Sequence, residues 1–98
     1  MKRYDSDLVP AIAIHPGEIL KEEIEARSMT QKELAEEMGR PVQVVNLIIN
    51  GRKGISAETA VDLEKAIPEI PADFWLRLDA SYRLNVVRIR QRDMRKAG

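Results

Sequence analysis

Residues 30–54 read TQKELAEEMGRPVQVVNLIINGRKG, and the spacing within them decides the fold. Thr30 offers a side-chain oxygen suited to a helix N-cap, and Glu33 completes a capping box. A helix is predicted over 31–38, with Leu34, Ala35 and Met38 turned inward. Gly39 ends it, because the residue just past a helix end often takes φ > 0. A second helix is expected over 41–49, closed by Asn50 and Gly51. Pro41 suits its first turn, where a missing N–H does no harm. Two helices that cross steeply and nearly touch need a small residue in the middle of the first. Ala35 supplies it. They also need branched apolar side chains on the second, and Val45 and Ile48 supply these. An ordinary helical hairpin shares the alanine and the glycine. The whole spacing, with Thr30-Gln31 before it and Asn50-Gly51 behind, points to a helix-turn-helix.

Outward from this stretch the chain reads as all-α. Pro16-Gly17 opens a helix expected over 18–27, with Ile19, Leu20 and Ile24 on one face and a Glu23–Arg27 pair on its solvated side. Ser56 caps a fourth helix that turns Ala60, Leu63 and Ile67 inward. Pro68 and Pro71 break the chain. A fifth helix begins near Ala72 and carries Phe74, Trp75, Leu78 and Tyr82. Residues 8–14 and 86–89 are the only stretches with a strand-like character. The predicted organisation is an N-terminal arm (1–14), a five-helix domain (15–84) and a basic C-terminal tail (85–98). That tail either stays irregular, extends the fifth helix or pairs as a strand.

Ninety-eight residues suit one compact domain, and 44% are hydrophobic while only 4% are aromatic, so the core must be mainly aliphatic. There is no cysteine, which excludes disulfides and thiolate metal sites and suits a reducing cytoplasm. No apolar run reaches the ~20 residues of a membrane span. Formal net charge is zero, yet residues 56–79 carry −4 and residues 80–98 carry +5. The basic end is either a solvated terminus or a surface for a polyanion or an acidic partner. Enzyme chemistry has no foothold. His15, the one histidine, has no second ligand for a metal and reads as a turn residue. Ser28, Ser56 and Ser81 sit in no nucleophile motif, and no glycine-rich phosphate loop occurs. Neither a cofactor nor a metal is expected.

Three pieces narrow the reading: HPGEIL (15–20), NGRKGIS (50–56) and ADFWLRLDASYRL (72–84). With the helices between them, residues 15–84 resemble the repressor-like DNA-binding domain of phage-repressor-type regulators. They resemble most the HigA-type antitoxins, also called the virulence-associated protein I group. The resemblance implies a homodimer that binds double-stranded operator DNA, represses its own operon and neutralises a HigB-type messenger-RNA-cleaving toxin. It places Gln31 on a phosphate at the start of helix two, and Asn50, Arg52 and Lys53 on the DNA backbone after helix three. These residue types make sense at the rim of a reading helix, since neutral donors and cations there position the protein on phosphates.

The reading positions, Val42, Gln43, Val44, Asn46 and Leu47, depart from the polar residues usual in that family. Gln43 and Asn46 can hydrogen-bond a base edge, and a valine can pack on a thymine methyl. The valines therefore read A·T-rich sequence through methyl contacts, or this face has moved away from DNA. Arg40 stands where the family has a buried apolar residue. It either reaches a phosphate or disturbs the turn. On the last helix, Phe74 and Trp75 diverge by about 100°, so both cannot enter one small core. One of them is expected at a dimer interface with Leu78 and Tyr82, because a palindromic operator needs two reading helices about 34 Å apart. Two other functions stay open: a protein-binding module on a helix-turn-helix scaffold with weak DNA binding, and a free-standing transcription regulator.

Overall fold

The computed structural model describes residues 11–97, and these form five helices: α1 (Pro16–Ala26), α2 (Gln31–Met38), α3 (Val42–Ile49), α4 (Ala57–Ala66) and α5 (Ala72–Ala97). No strand occurs among the described residues. Residues 86–89 are helical, and the part of the 8–14 stretch that is described, 11–14, is irregular. No helix among them is long and apolar enough to cross a membrane.

Leu20 and Ile24 from α1, Leu34, Ala35 and Met38 from α2, and Val45 and Ile48 from α3 are all buried. Ala60 and Leu63 from α4, then Ile55, Ile67 and Trp75, close the same core. Each large aliphatic side chain buried this way contributes about 1.5–3 kcal/mol of transfer free energy. Such a core replaces the aromatic mass that the composition lacks.

The helix ends follow local rules. Thr30 Oγ1 accepts the Glu33 N–H (3.0 Å) and Glu33 Oε1 accepts the Thr30 N–H (2.9 Å), so the capping box is complete. Ser56 Oγ accepts the Thr59 N–H (3.2 Å). Three C-termini close by the same pair of backbone bonds, with one residue in the left-handed region: Ser28 (φ 54°), Gly39 (φ 70°) and Gly51 (φ 75°). The expected 41–49 helix starts one residue later. Pro41 is its N-cap, with extended backbone (φ −62°, ψ 147°) and no side-chain cap bond.

The HPG stretch has a cause that the sequence alone did not show. His15 Nδ1 accepts the Gly17 N–H (2.9 Å), which makes the imidazole the N-cap of α1. Pro16 takes the first helical position. Gly17 lies against the end of α3, where a Cβ would sit 1.9 Å from the Ile48 carbonyl oxygen. The start of α1 and the end of α3 are thus in direct backbone contact. Glu23 and Arg27 pair along α1, and Arg27 also reaches Glu69 (3.8 Å).

A boundary near Leu84 does not appear. α5 runs unbroken for 26 residues, about 39 Å at 1.5 Å per residue. Glu64 Oε2 accepts the Ala72 N–H (2.9 Å) at its start. In its far half Val86 and Ile89 are half-buried on the inward face, and Ala11, Ile12 and Ala13 lie beside them. The tail is the end of a helix that begins in the core.

Candidate nucleic-acid interface

α2 and α3 cross as the spacing of Ala35, Gly39 and Val45 requires, with Ala35 and Val45 buried between them. The outer face of α3 carries Val42, Gln43, Asn46 and Leu47. Gln43 and Asn46 are exposed, and Val42 and Leu47 are each 40% exposed. Val44 is different. It is half-buried against the core and so contributes packing as well as surface.

Arg40 has a partner within the fold. Its Nε donates to Asp62 Oδ2 at 2.7 Å, which ties the α2–α3 turn to α4, and the turn keeps its regular closure. Lys65 reaches the other oxygen of the same carboxylate at 3.7 Å. A guanidinium committed in this way holds the scaffold.

The polar residues at the rim come together. Gln31, at the first position of α2, accepts through Oε1 from Asn46 Nδ2 (3.3 Å), and Asn46 Oδ1 accepts from Asn50 Nδ2 (3.1 Å). Behind α3 the loop turns through Gly51, and the Arg52 N–H returns to the Leu47 carbonyl (2.9 Å). Arg52 and Lys53 follow, both exposed, and among the described residues neither is paired with a carboxylate. Two free cations on a pinned loop suit a polyanion. The loop's far end is fixed by Asp79 of α5, whose Oδ1 accepts the buried Ile55 N–H at 3.0 Å while Oδ2 meets Arg83 Nε at 2.9 Å. Asp79 is 5% exposed. Sequence reasoning missed it, because an Asp with Arg four residues on looks like a solvated surface pair. Among the described residues no cluster of side chains is arranged to hold a metal ion.

Of the residues expected at a dimer interface, Trp75 is fully buried and Phe74, Leu78 and Tyr82 are half-buried. Trp75 has no exposed surface and stacks edge-on with half-buried Phe74 (5.5 Å). Both fit because Phe74 packs at the margin of the core and Trp75 in its interior. Leu78 also packs against the core, and Tyr82 lies edge-on to His15 (4.8 Å). The exposed apolar residues of α5 are Leu76, Leu84, Val87 and Met94. At 100° per residue these share one stripe, opposite Trp75 and Tyr82.

A capped α2, a left-handed turn, and an α3 with one face open beside a cationic loop define a helix-turn-helix protein. Residues 20–75 match the family described as helix-turn-helix. Virulence-associated protein A of Dichelobacter nodosus is 42% identical over 74 residues, which span 74% of this chain and 72% of that protein. An addiction module antidote protein of the HigA family from Coxiella burnetii superposes with a TM-score of 0.71 at 37% identity, covering 76% of this chain and 82% of its own. Pseudomonas aeruginosa antitoxin HigA, solved with the higBA promoter, gives 0.71 at 33% identity, with the same shares covered. The chain belongs to the helix-turn-helix family and, within it, to the group of the virulence-associated proteins and HigA antitoxins.

Proposed function

We propose that this protein is a cytoplasmic antitoxin that binds operator DNA as a dimer, represses its own promoter and neutralises a HigB-type messenger-RNA-cleaving toxin. The observation that carries the DNA-binding part is the α3 face with Arg52 and Lys53 unpaired beside it, on a loop fixed at both ends. The likeness to a HigA solved with its promoter supports the same reading. In this assignment Gln31, Asn50, Arg52 and Lys53 meet phosphates, Gln43 meets a base edge, and Val42 and Leu47 lie against thymine methyls. The toxin rests on the family likeness alone. We assign the second copy of the chain to the outward stripe of α5, because Phe74, Trp75, Leu78 and Tyr82 are engaged within the protomer.

The test is a salt titration on the chain's own promoter duplex and on random duplex. Arg52→Ala with Lys53→Ala weakens both, and lowers the slope of log K against log salt by about 0.9 for each phosphate no longer neutralised. An unchanged slope removes this loop from the interface. The apolar Val42 and Leu47 then favour the second reading, a protein-binding surface on the same scaffold.

A further inference from the structure

Three side-chain amides from α2, α3 and the residue that ends α3 stand in a line. Asn50 Nδ2 donates to Asn46 Oδ1 at 3.1 Å, and Asn46 Nδ2 donates to Gln31 Oε1 at 3.3 Å. The line has a direction. Each amide accepts on its oxygen from the one before it, and the last, Gln31, is left with its NH₂ group unpaired among the described residues. A chain of amides that ends in free N–H groups presents donors outward, and aligned bonds of this kind strengthen one another. Such an end suits an anion.

Asn46 occupies the middle. An asparagine reads adenine by giving an N–H and taking one at the same time, with the plane of its amide along the base edge. Asn46 already uses its oxygen toward one neighbour and its nitrogen toward the other. Each atom keeps a second hydrogen or lone pair, but turning the amide plane along a base edge draws it away from both neighbours and loosens Gln31 and Asn50 together. Gln43, one turn earlier on the exposed face, has no hydrogen bond to any described group, so both ends of its amide are free.

We propose that Asn46 is a positioning residue. It holds the Gln31 NH₂ group and the remaining N–H of the Asn50 amide in register for neighbouring phosphates, and it leaves hydrogen-bonded base reading on α3 to Gln43. The proposal rests on the DNA-binding reading above. It divides the polar face of α3 by role: Asn46 contributes affinity for any duplex and Gln43 contributes preference among duplexes.

The experiment selects binding sites from a pool of random duplexes with the full chain, then titrates the best duplex and its single-base variants. Wild type is compared with Gln43→Ala, with Asn46→Ala, with the pair Gln31→Ala and Asn50→Ala, and with the triple variant that adds Asn46→Ala to that pair. Melting curves establish that each is folded. Asn46→Ala is expected to select the same sequence as wild type and to lose about three- to ten-fold in affinity, by the same factor on every duplex. In the Gln31→Ala, Asn50→Ala background it costs nothing further, because the residues it acts through are gone. Gln43→Ala relaxes the preference at one base pair. The proposal is overturned if Asn46→Ala relaxes a base preference, or if its cost persists in full without Gln31 and Asn50. A wild-type protein that enriches no sequence from the pool rejects the DNA-binding reading itself, and does so before any variant is compared.

Discussion

Asp79 joins two parts of the molecule with one carboxylate. Its Oδ1 takes the Ile55 N–H and its Oδ2 meets Arg83, in a position that is almost fully buried. Removing the side chain leaves a buried N–H without a partner, at a cost of about 1–3 kcal/mol. Asp79→Ala is therefore expected to destabilise the fold by that amount, read as a lower urea midpoint, and to free the end of the Arg52–Lys53 loop. Asp79→Asn keeps an oxygen for Ile55 and loses less. A pair of urea titrations with equal midpoints would show that the loop does not depend on this bond. Residues of this kind were poorly legible in the sequence. Ile55 lies 24 positions from Asp79 and Asp62 lies 22 from Arg40, so neither pairing has a local signature. Val44 looked like a reading residue because spacing alone puts it near the open face. The packing of α3 on the core draws it half inward.

At the level of elements the sequence was far more explicit. Caps and stops involve neighbours within four or five positions, and Thr30, Glu33, Gly39, Ser56 and Gly51 all act where their chemistry suggests. Ser28 is the exception among the three left-handed closures. It holds φ 54° with a side chain, a backbone region that favours glycine. Ser28→Gly is expected to raise stability by about 0.5–1 kcal/mol, read as a higher melting temperature. No gain would mean that the serine makes up for the strain elsewhere. The length of α5 was the least legible element. Its second half is rich in charge, and Ala11, Ile12 and Ala13 lie beside it, which no period along the helix reveals.

The described residues span 48 × 28 × 23 Å, and α5 is the longest element among them. In the outward stripe Leu76 and Met94, and Leu84 and Val87, lie about equally far from residue 85, while Ala80 mirrors onto Arg90. An antiparallel pairing with a second copy sets Leu76 against Met94, and Leu84 against Val87. It also brings the +5 of residues 80–98 near the −4 of residues 56–79 in the partner. Leu84→Asp with Val87→Asp is expected to give a folded monomer by sedimentation, with promoter affinity lower by about 10²-fold or more because the two half-sites no longer act together. A double variant that still sediments as a dimer would move the interface elsewhere.

Trp75 has a use that follows from its position. It is the single tryptophan, it has no exposed surface, and no described group accepts its Nε1–H. Its fluorescence comes from one fully buried site. The emission therefore reports the integrity of the core. The fraction of folded chain can be followed optically while duplex, salt or a second protein is titrated in, so loss of binding and loss of fold are separated in a single cuvette.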